Sequence, residues 1–168
     1  YTGETGSAVY SPQTKTLSLN NLTIRTSRTN ALIYSKIPGL TIKVNGTTTI
    51  NLLDSSPIGG SDIGQEQANH AFMLEADTTI KGQSGNKSID KIVINSKSIG
   101  VTNPEPDGTT RVGISSFSQL TLQDITLSMT DNSVTNKVGY ASLLRAGGQT
   151  SISGCTLDAQ KCAHGVFM

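Results

Sequence analysis

The sequence predicts an all-β chain, and more narrowly a single-stranded right-handed parallel β-helix, a solenoid of about five coils with three short strands per coil. Three observations lead there. The first is an eight-residue phrase that occurs three times. Leu17-Ser18-Leu19-Asn20-Asn21-Leu22-Thr23-Ile24 reads apolar, hydroxyl, apolar, two polar residues, apolar, Thr, apolar. Leu120 to Leu127 repeats it at the same spacing, and Thr150 to Leu157 repeats it again with Thr150 weakening the first position and the small Gly154 in the middle pair. Its period of two is that of a strand with one face buried. The second observation is composition. Aromatic residues make up 4% of the chain and Trp is absent, while Ser, Thr, Asn and Gly abound, a balance that favours short strands and tight turns over helices. The third is that no window carries the 3.6-residue apolar stripe of a long helix.

Taken in order, the elements are apolar-Thr-apolar triplets. Leu17-Ser18-Leu19 and Leu22-Thr23-Ile24 open the series. Leu40-Thr41-Ile42 and Thr48-Thr49-Ile50 follow, then Thr78-Thr79-Ile80 and the run Ile92-Val93-Ile94. Leu120-Thr121-Leu122 with Ile125-Thr126-Leu127, and Thr150-Ser151-Ile152 with Cys155-Thr156-Leu157, complete it. A short apolar run comes before most sets: Ala31-Leu32-Ile33, Ala71-Phe72-Met73-Leu74, Val112-Gly113-Ile114 and Ala141-Ser142-Leu143-Leu144. Gly165-Val166-Phe167-Met168 reads as the opening of one more coil, left incomplete.

In that register the residue between two apolar positions points outward. Ser18, Thr41, Thr79, Thr121 and Ser151 are expected to align as one hydroxyl ladder, and Thr23, Thr49, Thr126 and Thr156 as another. Pairs such as Asn20-Asn21 and Ser153-Gly154 suit sharp corners, because Asn and Gly tolerate left-handed backbone. The first triplets begin at 17, 40, 78, 120 and 150, and the surplus length marks insertions at 54–70 and 101–111. A third, shorter one starts at Asp131. The chain is expected to be a single domain, 1–168, with 1–12 as an N-terminal cap. Cys155 takes the inward place of Leu22 and Ile125, so a buried side chain is expected. A free thiol and a disulfide with Cys162 both remain open.

A formal net charge of +1 offers no pull toward nucleic acid, and no apolar run reaches the length of a membrane span. Two Cys and two His without a CxxC pair exclude the usual zinc patterns. Asp54, Asp62, Glu66 and His70 share one polar loop, and Glu75 with Asp77 flanks a corner, yet no calcium array surrounds them. Glu105 and Asp107 belong to a Pro-rich turn. There is no GxSxG elbow and no P-loop, and His164 stands at the head of the last apolar run. No catalytic residue, metal ligand or cofactor is assigned. Tyr34, Tyr140 and Phe117 are candidate aromatic platforms for a sugar ring, and Asp62 and Asp77 are candidate polar contacts.

With the coils assigned, the stretches Tyr10 to Ile24, Ala31 to Ser35 and Leu40 to Ile50 carry a further signal. They resemble the repeats of bacterial surface or secreted carbohydrate-binding-domain proteins, of the pectate-lyase-like right-handed parallel β-helix kind. The resemblance implies a secreted or cell-surface location and polysaccharide binding without catalysis. Related lyases act on acidic polysaccharides through clustered acidic calcium ligands and a basic residue on one outward face, a cluster that this sequence does not present. Three functions follow: a polysaccharide-binding or adhesive module, a structural module associating through its C-terminal coil edge, and an acidic-polysaccharide lyase or hydrolase.

Overall fold

Period-two alternation dominates the structure, a computed structural model that describes residues 4–26, 31–53, 69–97, 111–132, 141–162 and 164–167. All regular elements among them are strands. They are β1 (Thr5–Ser11), β2 (Thr16–Thr26), β3 (Ala31–Ser35), β4 (Leu40–Asn45), β5 (Thr47–Leu53), β6 (Asn69–Leu74), β7 (Thr78–Gly82) and β8 (Lys91–Lys97). Then come β9 (Arg111–Ser116), β10 (Leu120–Gln123), β11 (Thr126–Asp131), β12 (Ala141–Ala146), β13 (Thr150–Ser153), β14 (Thr156–Gln160) and β15 (His164–Phe167). The expected insertions at 54–70 and 101–111 lie outside the described residues, apart from Asn69 and His70 in β6 and Arg111 in β9.

The strands form two sheets. The larger follows the order β13-β10-β7-β4-β2-β5-β8-β11-β14, all parallel, with β1 added antiparallel along β2. The smaller is a parallel sheet in the order β15-β12-β9-β6-β3. This corrects the expected single-stranded right-handed parallel β-helix, the solenoid of three strands per coil: the fold is a curled nine-strand parallel sheet facing a second parallel sheet. The physical reason lies in β2. The sequence reading treats Asn20-Asn21 as a corner that ends one strand and starts another. Asn21 does take a left-handed conformation, at φ 43°, yet β2 runs through it as one strand of 11 residues. Thr16 to Asn20 pair with β4, and Thr23 to Thr26 pair with β5. One strand thereby joins two rows of strands into one sheet.

Register explains where the core sits. Leu17, Ile42, Ile80, Leu122 and Ile152 are paired in sequence across five strands. Ile24, Ile50, Ile94, Met129 and Ala159 form a second row, and Ile33, Phe72, Ile114, Leu144 and Val166 a third, in the smaller sheet. The middle members are fully buried, and each contributes about 1.5–3 kcal/mol by leaving water. The rows lose cover at their last strands, where Ile152 is 43% and Val166 40% exposed. Cys155 follows the same rule. It is half-buried rather than buried, because it belongs to the last row of the core, and both cysteines are free thiols. The Cys155 thiol donates to the Ser153 carbonyl at 3.1 Å. Burial, with Asp131 nearby, pushes the Cys162 thiol up to about 11.

Two buried polar arrangements set the corners. The Asp90 carboxylate, fully buried, accepts the Gly46 N–H at 2.9 Å and both the N–H and the hydroxyl of Ser84 at 2.6 Å. Between the sheets, Arg111 Nη2 of β9 meets Asp131 Oδ2 of β11 at 3.0 Å, with both side chains more than nine-tenths buried. Such a pair adds little over an apolar contact, but losing one partner costs about 3–5 kcal/mol, so it opposes slippage of one sheet on the other.

His70, in β6, is 5% exposed, and its Nδ1 has no hydrogen-bond partner. Burial, aided by the positive charge of Arg145, lowers its pKa from 6.5 to about 4. The unfolded chain therefore binds a proton that the folded chain refuses between those two values. The stability contribution is whole above pH 6.5 and declines as pH falls through 6.5 toward 4. The full loss is on the order of 3 kcal/mol. Denaturant unfolding of the native chain and His70→Asn at pH 7 and pH 4.5 is expected to show a smaller drop in the variant.

Candidate functional site

The outward face of β4, β7, β10 and β13 is built by alternation. In β4, Leu40, Ile42 and Val44 are buried, while Thr41 and Lys43 between them are half-exposed on the other side. Parallel pairing then places Thr16, Thr41, Thr79, Thr121 and Ser151 side by side, each about 4.8 Å from the next. The expected ladder is present from Thr41 to Ser151. Its first member is Thr16 rather than Ser18, because β2 is offset by two residues against β4. The same offset divides the second expected ladder. Thr23 and Thr49 pair with Val93 and Ser128, while Thr126 and Thr156 pair with Lys91 and Thr47.

Two residues along, the next outward row reads Ser18, Lys43, Lys81, Gln123 and Ser153. Lys43 and Lys81 are adjacent, and neither forms an ion pair among the described residues. Like charges directly opposite in a sheet are unfavourable. They border a cleft of about 350 Å³, lined also by Gly82, Gln83, Ser84, Gly85, Gln123 and Asp124. β7 ends at Gly82, and the turn that follows it, through Gln83, Ser84 and Gly85, supplies part of the cleft wall close to Asp124. Gly82 makes this possible, since a Cβ there would collide with the Asp124 carbonyl oxygen.

The described residues singled out from sequence, Tyr34, Asp77 and Phe117, are placed elsewhere. Tyr34 stands on the smaller sheet, 51% exposed. Its hydroxyl donates to Glu75 Oε1 at 2.7 Å, and the Lys36 ammonium lies 5.5 Å from its ring centroid and 3.1 Å from Glu75 Oε2. Hydrogen bonds from Tyr34 and Lys36 hold the Glu75 carboxyl below its usual range, while Tyr34 and Glu75 raise Lys36. The ring thus has a cation on one side. Asp77 closes a corner, accepting the Ser118 hydroxyl at 2.5 Å and the Gln119 N–H at 3.1 Å. Phe117 is 57% exposed at that corner. Asp62 and Tyr140 lie outside the described residues. Among the described residues, no three His, Cys, Asp or Glu side chains come together as metal ligands, and no helix is long and apolar enough to cross a membrane.

Lys43, Lys81 and Gln123 are absent from the sequence candidates, although a signal existed. Each directly follows a triplet: Leu40-Thr41-Ile42-Lys43, Thr78-Thr79-Ile80-Lys81, Leu120-Thr121-Leu122-Gln123. Aligning the triplets would have set the two lysines side by side.

No family model, curated protein or solved structure matches this chain. The resemblance to bacterial carbohydrate-binding proteins rests on the sequence phrases alone.

The Ser118 hydroxyl, followed by the Gln119 N–H, lowers the Asp77 carboxyl from its ordinary 3.8. A carboxyl-detected NMR titration is expected to place Asp77 below that value. Ser118→Ala is expected to bring it back upward, and an unchanged midpoint in the variant would remove this account of the corner.

Proposed function

We propose that this chain is a non-catalytic module that binds a polysaccharide along the outward face of the larger sheet. The observation that carries the reading is the row Thr16-Thr41-Thr79-Thr121-Ser151 beside Ser18-Lys43-Lys81-Gln123-Ser153. Hydroxyls, amides and ammonium groups repeat at about 4.8 Å on a rigid sheet. A sugar chain presents hydroxyls along its length that can donate to and accept from such a row. The stiffness of β-branched Thr keeps the entropy lost on binding small. Secretion or display at the cell surface accords with such a ligand and with the sequence resemblance. Thr41→Val, Thr79→Val and Thr121→Val together preserve side-chain shape and β propensity while removing three hydroxyls. They are expected to weaken glycan binding by about tenfold or more, read by affinity electrophoresis across a polysaccharide panel. Equal mobility of variant and native chain on every polysaccharide would sink the reading.

A second reading, self-association, is favoured by the exposed ends of the core rows at Ile152 and Val166, beside the outer edges of β13, β14 and β15. At the opposite end β1 covers β2 and leaves β3 as the edge of the smaller sheet, so the two ends differ, and a second copy would meet the exposed Ile152 and Val166 with its own in a two-fold dimer. Sedimentation equilibrium is expected to show a dimer that Ile152→Asp dissolves. A monomer at every concentration contradicts it.

A further inference from the structure

We propose that Lys43 and Lys81 form an oxyanion site whose ligand class is the phosphate monoester, a charged substituent carried by the bound polysaccharide. The inference rests on the binding-face reading for its polymer, and on the cleft itself for its charge. The two ammonium groups spring from paired positions of neighbouring strands, about 4.8 Å apart at the backbone. Of the other described lysines, Lys36 is held by Glu75 and Lys15 by the Pro38 carbonyl at 3.1 Å, while Lys87, Lys91 and Lys161 do not line the cleft. Lys43 and Lys81 instead border an unfilled cleft.

Two acids stand near, and neither pairs with them. Asp90 is buried beneath Gly82 and accepts three hydrogen bonds from Gly46 and Ser84. Asp124 lines the cleft wall, with its Oδ1 lying against Gly154. In the cleft lining two ammonium groups thus stand against one carboxylate, that of Asp124, so the site favours an anion with several acceptor oxygens that engages both lysines at once. A phosphate monoester carries about −1.5 to −2 at pH 7 on three strong acceptor oxygens, whereas a carboxylate or a sulfate ester brings a single charge. Opposite charge between adjacent lysines also relieves their mutual repulsion. The Gln123 amide, next in the row, can donate to the ester oxygen or to a ring hydroxyl. A cleft of about 350 Å³ accommodates a phosphate together with one sugar ring.

The test is an amide NMR titration of the whole chain with inorganic phosphate, glucose 6-phosphate, glucuronate and glucose. Inorganic phosphate and glucose 6-phosphate are expected to shift the amides of Lys81, Gly82 and Gln123 saturably, and glucuronate to bind more weakly. Lys43→Gln with Lys81→Gln is expected to weaken both phosphate ligands by about tenfold or more. Thermal unfolding of that variant is expected to match the native chain or rise, which separates a lost site from a lost fold. The inference is overturned if no phosphate ligand shifts those amides, if glucuronate binds as tightly as glucose 6-phosphate, or if the double variant keeps phosphate binding. If neutral glycans bind the Thr row while phosphate does not bind at all, the site fails and the binding face stands. If phosphate ligands bind and no glycan does, the site stands and the polysaccharide reading fails. A stronger response to glucose 6-phosphate than to inorganic phosphate identifies a sugar-borne ester rather than the free ion as the ligand.

Discussion

A parallel strand that slips by one residue turns every inward side chain outward, and that constraint organises this molecule. Ile42, Ile80 and Leu122 are level with one another across β4, β7 and β10. Each is buried because its neighbours along the row cover it. The same register levels the hydroxyls of Thr41, Thr79 and Thr121 on the other side of the sheet. Core and candidate face are two sides of one alignment. A substitution that shifted a strand would damage both, whereas the outward row can change composition without touching the core.

β2 translates that register into a fold with unequal ends. By pairing β4 with one half and β5 with the other, it brings two rows of strands into one sheet. β1 then occupies its remaining edge. At the far end the rows finish at Ile152, Ala159 and Val166 with progressively poorer cover. The buried pair of Arg111 and Asp131 links β9 of the smaller sheet to β11 of the larger. It adds a directional contact to apolar rows whose members on those two strands, Ile114 and Met129, are fully buried.

Much of the strand content was legible because period-two alternation is a local property. The triplets at Leu40, Thr78, Leu120 and Thr150 all open strands of the larger sheet. The joining of the rows was not legible. Whether Asn21, at positive φ, ends a strand or only bends it depends on what pairs with the residues on either side. The offset of β2 was hidden for the same reason, so Thr16 rather than Ser18 heads the hydroxyl row. The sequence candidates for a site favoured aromatic and acidic residues one at a time. Tyr34 and Asp77 turned out to serve corners and neighbours through Glu75, Ser118 and Gln119. The lysine pair is a property of two strands 38 residues apart and emerges only once the triplets at 40 and 78 are superposed.

Gly82 gives the cleft a character that its lining side chains alone would not. No side chain can occupy that position, since the Asp124 carbonyl and the Asp90 carboxylate already fill the space a Cβ would need. The depth of the cleft is therefore written in main chain, which does not change rotamer when a ligand arrives. The long, flexible arms of Lys43, Lys81 and Gln123 around it can adapt. Descendants of this sequence could alter the chemistry of what they hold by exchanging those three residues, while the size of the group admitted would stay fixed until the glycine and the corner behind it changed together.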